Sequence, residues 1–194
     1  MDITDVSKYF IAIVPPSPIY EEINQLKEYC KENFNTKGAL NSPPHLTLLM
    51  PFRWKEAKED RLFTSLASFV KTETPFEILA SGFWRFEPRV IYISIQPNLV
   101  LNQFRNRLQL FFRKELNVLN ADYRGLPFHP HITIAFRDLK KSMFAKAWQE
   151  FSSKKFEAVW QVNVIVLLKN EDNQWRVLKE FALQPNATTS KSLQ

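Results

Sequence analysis

Residues 9-14 (Tyr-Phe-Ile-Ala-Ile-Val) form an unbroken apolar run closed by Pro15 and Pro16, the pattern of a short strand stopped by residues that can neither pair nor continue a helix. Ile19, Ile23, Leu26, Cys30 and Phe34 then recur at spacings of three and four with charges between them, which predicts a helix burying one face. A strand is predicted over 45-50, a second amphipathic helix through Leu62, Phe63, Leu66, Phe69 and Val70, and a third strand near 76-82.

The same order then starts again. Residues 90-96 predict a strand, and Leu101, Phe104, Leu108, Phe111, Phe112 and Leu116 stripe a helix with Asn98 as its N-cap. A strand follows from His131, then a helix striped by Met143, Phe144, Ala147, Trp148 and Phe151 with Ser142 as its cap. Strands over 156-168 and 175-183 are predicted to form a hairpin across Asn170-Glu171-Asp172-Asn173. Matching strands start at 9 and 90, 45 and 131, 76 and 156, offsets of 81, 86 and 80 residues. Such offsets are what an internal duplication leaves. One two-lobed domain is therefore expected over 1-184, with a repeat of about 9-82 and 90-168, and the aperiodic stretch 185-194 is expected to be a disordered tail.

The middle strand of each run carries one pattern: Pro44-His45-Leu46-Thr47-Leu48 and Pro130-His131-Ile132-Thr133-Ile134. With nine threonines in 194 residues, two of the three histidines having Thr at the second position onward is about a one-in-150 coincidence. On a strand, residues i and i+2 share a face, so each copy offers an imidazole and a hydroxyl together, with Leu46, Leu48 and Met50, or Ile132 and Ile134, turned away. Imidazoles titrate near neutrality, so one can take a proton while the other gives one, which is what attack on a phosphodiester needs. Threonine hydroxyls can hold the non-bridging oxygens. His45, Thr47, His131 and Thr133 are the expected catalytic set.

Charge and composition narrow the choices. Twenty-six Lys and Arg against 20 Asp and Glu leave a net charge of +6, which favours phosphate-bearing partners. Three scattered glycines exclude a Walker A loop and a dinucleotide fingerprint, so no ATP or NAD cofactor is expected. The lone cysteine, Cys30, requires no oxidising compartment, and the polar, acid-bearing N-terminus is unlike a signal peptide, so a cytoplasmic protein without a membrane partner is expected.

On the two His-x-Thr strands, their apolar surroundings and the Phe10-Ile11-Ala12 strand ending in Pro15-Pro16, the chain resembles the two-histidine phosphoesterase superfamily, also called the 2'-5' RNA ligase-like or LigT-like family, over residues 8 to 183. The resemblance implies an α+β fold with two pseudo-symmetric lobes, antiparallel sheets lining a central cleft and helices outside. It also implies metal-independent chemistry on 2',3'-cyclic phosphates or on 2',5'-linked or terminal RNA diesters, carried by the same four residues. The expected partner is an RNA end or a cyclic-phosphate nucleotide, the expected state a monomer, and no cofactor or metal is called for.

Two other readings stand beside this one: a module that binds nucleotides or RNA ends without turnover, and a zinc site formed by His45, His129 and His131. Phe83, Trp84 and Arg85 interleave aromatics with a cation in a predicted loop, a composition suited to stacking bases. Tyr92 either lines the cleft or covers the sheet. Arg53 and Arg137 are left outside the catalytic set, because six strand steps put Arg137 roughly 20 Å from His131.

Overall fold

The computed structural model describes residues 5-119 and 127-184, so the expected tail lies outside the described residues. The elements are β1 (Val6-Ile13), α1 (Ile19-Phe34), β2 (Leu46-Lys55), α2 (Glu59-Val70), β3 (Phe76-Phe86) and β4 (Val90-Ile95), then α3 (Leu99-Leu116), β5 (His131-Ala135), α4 (Lys141-Ser153), β6 (Glu157-Val162), β7 (Val164-Glu171) and β8 (Gln174-Ala182). All eight strands join one antiparallel sheet in the order β6-β3-β4-β5-β2-β1-β7-β8. The fold is α+β, and its two four-stranded halves meet where Leu46 of β2 pairs with Ile132 of β5.

Read outward from that junction, β2-β1-β7-β8 mirrors β5-β4-β3-β6. The third strand of each run has crossed over: β3 pairs with β4, and β7 pairs with β1. The predicted single strand 156-168 is therefore two strands, broken at Asn163, because β6 pairs with β3 in one half while β7 pairs with β1 in the other.

β1 explains why its sequence shows no polar alternation. Tyr9, Ile11 and Ile13 join the main core, whereas Phe10 and Ala12 pack with Val166, Leu168 and Trp175 in a smaller cluster, so both faces are covered. The helices bury their stripes in the main core, with Ile23, Cys30 and Phe34 from α1 and Leu101, Phe104, Leu108, Phe112 and Leu116 from α3. Asn98 caps α3 by accepting from Leu101 N, and Asn35 and Asn117 end α1 and α3 in the left-handed conformation. The β7-β8 turn places Asp172 and Asn173 at φ 51° and 64°, the paired positive angles of a two-residue hairpin loop.

Three local expectations are corrected. Ser142 is not the cap of α4; the helix starts one residue earlier, and Lys140 O accepts from Met143 N and Phe144 N. Residues 83-86 continue β3 instead of forming a loop. A bulge at Gly82, φ 71°, sets three residues of β3 against two of β4 and returns Phe83 to the buried face. A second bulge sets Leu49-Phe52 against Tyr9-Ile11, so Leu49 and Phe52 are buried and Met50 turns to the cleft rather than away from it.

Candidate active site

The junction of the two half-sheets is where the four motif side chains meet. Continuing the antiparallel register from Leu46-Ile132 sets His45 opposite Thr133 and Thr47 opposite His131. Directly opposed side chains on one face have Cβ atoms about 4.5-5.5 Å apart and diagonal ones about 7-8 Å, so the histidines stand on one diagonal of a small parallelogram and the threonines on the other. Leu46 and Ile132, pointing the other way, are fully buried and fix the floor. All four polar side chains open onto one cleft of about 780 Å³.

Both imidazoles are held alike. His45 Nδ1 donates to Pro43 O at 2.8 Å and His131 Nδ1 to His129 O at 2.7 Å. A carbonyl can only accept, so Nδ1 carries hydrogen in each ring, leaving Nε2 as the atom that takes or gives a proton. Burial, with the charge of Lys27 behind it, pulls the His45 pKa down to about 4 against the favourable Pro43 bond, and His131 adds a smaller push in the same direction. His131 is lowered too, first by burial and then by His129 against its own carbonyl bond. In the open cleft both rings are neutral near pH 7, and an arriving phosphate anion is what favours placing a proton on one of them.

Aromatic side chains flank the pair. The Phe10 ring lies 4.9 Å from His45 and 4.7 Å from Trp175, while Phe86 and Tyr92 lie 5.1 and 4.9 Å from His131. Tyr92 is fully buried beside Thr133, and its hydroxyl meets His129 Nε2 at 2.9 Å. Its position thus lies under the site, against the ring of His131. Among the described residues, no three His, Cys, Asp or Glu side chains converge to share a metal ion. The cleft rim carries Lys8, Arg89 and Arg137 against one carboxylate, Glu87, which is paired with Arg85 at 2.7 Å.

The other sequence candidates fall outside the cleft. Phe83 is buried against Phe151 and Phe156. Trp84 is 56% exposed and meets Trp148 edge to face, and Arg85 sits 4.4 Å over Trp148. Arg53 lies in a separate shallow pocket. Arg137 does reach the cleft wall, because β5 ends at Ala135 and the chain turns, with Leu139 N donating to Phe136 O, instead of running on as an extended strand.

The wall on the His45 side is residues 38-42, which include a single helical turn. Two side chains that the sequence reading passed over hold it. Lys27 Nζ donates to Ala39 O and Ser42 O, both at 3.0 Å. Asp138 accepts from Thr36 Oγ1 at 2.7 Å, Lys37 N at 2.7 Å and Gly38 N at 2.9 Å, tying the exit of β5 to the wall about 100 residues earlier. The signal for Lys27 was present: it occupies the innermost line of the α1 stripe, with Ile23, Cys30 and Phe34, where Leu26 is only partly buried.

A family model described as the 2'-5' RNA ligase superfamily matches residues 15-174. A Geobacillus kaustophilus protein, provisionally named a phosphoesterase, is 28% identical over 177 residues, covering 90% of this chain and 95% of its own. The crystal structure of Escherichia coli LigT complexed with 3'-AMP superposes with a TM-score of 0.68 at 23% identity, covering 93% of this chain and 99% of that one. TT0787 of Thermus thermophilus does so at 0.62 and 18% identity, covering 92% and 99%. With the match to the family model running through both His-x-Thr strands, and the same fold found along nearly the whole chain, this protein belongs to the 2'-5' RNA ligase superfamily.

Proposed function

We propose that the protein is a phosphodiesterase that opens 2',3'-cyclic phosphates, or cleaves 2',5'-linked or terminal RNA diesters, by general acid-base catalysis without a metal. The observation that carries this reading is the diagonal pair of imidazoles, each with Nδ1 committed to a carbonyl and Nε2 left for chemistry. One Nε2 takes a proton from water as its oxygen bonds to phosphorus. The opposite imidazolium gives its Nε2 proton to the leaving ribose oxygen as the P-O bond breaks, and a phosphomonoester results. Each proton transfer can contribute roughly 10²- to 10⁴-fold. Thr47 and Thr133, on the other diagonal, donate to the non-bridging oxygens as charge accumulates there.

The substrate class is supported by the cationic rim, by the aromatic rings beside each histidine, and by the 3'-AMP held by the LigT relative. A cleft of this volume exceeds what one phosphate fills, leaving space for a nucleoside. The test is a panel of 2',3'-cyclic nucleotides and 2',5'- and 3',5'-linked oligonucleotides assayed after exhaustive chelation, with the product phosphate located. Turnover of a cyclic phosphate with a bell-shaped pH profile is expected. Turnover recovered only on adding zinc, or tight binding with none, refutes the proposal.

A further inference from the structure

Lys27 is the one fully buried lysine among the described residues, 1% exposed, and neither of its hydrogen-bond partners is charged. An ammonium taken out of water without a carboxylate is unfavourable, and burial accordingly lowers its pKa to about 7. Nothing in the packing of α1 calls for a lysine there. In the other half α3 also buries a cation, Arg105, 8% exposed, but its charge is not among those that bear on either imidazole. The halves therefore differ in what their buried cation acts on, since Lys27 bears on His45 and no such charge bears on His131.

The location of Lys27 explains the difference. The two carbonyls it binds, Ala39 and Ser42, belong to the wall that runs into Pro43, and Pro43 O is the acceptor that fixes the His45 ring. We infer that Lys27 is a positioning residue that breaks the symmetry of the histidine pair: it holds the wall behind His45 and places a positive charge there, so that His45 serves as the base and His131 as the acid. This assignment rests on the acid-base reading above.

The charges bearing on each ring differ accordingly. On His45 they are Lys27 from α1 and His131 from β5; on His131 the neighbour is His129, and the flanking Phe86 and Tyr92 rings carry no charge. Lys8, Glu87, Arg89 and Arg137 stand on the exposed rim, where solvent and salt screen them. A phosphate anion between the rings favours a proton on either one. Below about pH 7, where Lys27 is charged, like-charge repulsion opposes a proton on His45, so the proton settles on His131, from which it passes to the leaving oxygen.

The experiment is an NMR titration of the imidazoles in the full chain for wild type, Lys27→Met and Lys27→Arg, with and without inorganic phosphate. In wild type, His45 should titrate below His131, and phosphate should raise His131 more than His45. Lys27→Met should raise His45 by roughly a unit while moving His131 by a few tenths. Lys27→Arg, which restores the charge and two donors, should return His45 to its low value. The acid limb of kcat/KM, which reports the free base, should follow His45 through the series.

A His45 titration unmoved in folded Lys27→Met overturns the inference, as does a wild-type His45 that titrates above His131. Should Lys27→Met not fold, the wild-type titration with and without phosphate still decides. Because these readouts need no turnover, they are separable from the proposed reaction: near-normal rates in both His→Ala variants would sink acid-base catalysis while leaving the Lys27-His45 coupling standing.

Discussion

Replacing Asp138 by alanine removes three hydrogen bonds that tie the exit of β5 to the cleft wall. Two of the donors, Lys37 N and Gly38 N, converge on Oδ2, and the third, Thr36 Oγ1, on Oδ1. Hydrogen bonds to charged groups contribute about 1.5-3 kcal/mol each when buried, but Asp138 is exposed enough for water to replace part of that, which leaves about 2-4 kcal/mol for the set. For a chain of this length, that is a fall of roughly 5-15 °C in Tm. Asparagine offers a control, since its carbonyl can face the two amides while its NH2 donates to the threonine hydroxyl. Asp138→Asn should therefore lose only the charge assistance, about half the alanine effect or less.

Urea unfolding at pH 7, with KM on the best diester measured alongside, reads both consequences. The wall includes Gly38, Ala39, Asn41 and Ser42, so KM should rise in the alanine variant. Burial opposes ionisation of Asp138, but the donors of Thr36, Lys37 and Gly38 outweigh it and hold the carboxyl below its usual range. Its contribution is thus present above the ordinary carboxylate pKa and is lost as pH falls through the lowered value, so the wild-type and alanine stabilities should converge in acid. An alanine variant within about 0.5 kcal/mol of wild type at pH 7, or an asparagine variant as damaged as alanine, refutes the clamp.

Thr47→Val and Thr133→Val keep the β-branched shape and should lower kcat roughly 10- to 1,000-fold at unchanged stability; a loss under threefold in both excludes a role in holding the phosphate oxygens. His45→Ala and His131→Ala should each abolish most turnover while leaving affinity for a product nucleotide largely intact, and the double variant should be little worse than either single. Multiplicative losses, measured as kcat in the same assay, would mean that the two imidazoles work independently. The lowered titration of His45 also has a thermodynamic signature. Below about pH 6.5 the unfolded chain binds a proton that folded His45 refuses until about pH 4, so stability should fall over that window and fall less steeply in His45→Ala. Parallel pH dependences in urea would contradict the burial of that ring.

The repeated elements and the four motif residues were legible because each rests on a local rule. Strand parity places His and Thr on one face, and stripes at three and four mark the helices. What escaped was set by pairing between distant segments. Whether 156-168 is one strand or two depends on which neighbour each end finds, and Asn163 alone does not announce the change. The bulges at Gly82 and at Met50-Pro51 shift the facing of everything after them, which is why Phe83 was expected to meet a base and lies in the core, and why Met50 reached the cleft. The length of an ideal strand puts Arg137 out of reach of His131, and the strand simply ends sooner, at Ala135. Lys27 and Asp138 escape for a related reason: apart from the Thr36 hydroxyl their partners are main-chain groups, which leave no mark on the identity of the residues they belong to.

The crossing of the third strands makes each lobe a joint product of both runs of the chain. A polypeptide ending after β3 would carry β1 and β2 without β7, and β3 without β4, leaving apolar strand edges on either side of a gap. Two such half-chains could close their sheets only by lending β3 to each other, and the resulting pair would place one His-x-Thr strand from each copy at the shared junction. In the present chain that exchange happens within one molecule. The lobes consequently cannot be parted by cutting between the repeats, and any opening of the cleft must flex the Leu46-Ile132 seam and work against the Asp138 bonds that cross beside it, since the neighbouring strands on each side are held by chain from the opposite repeat.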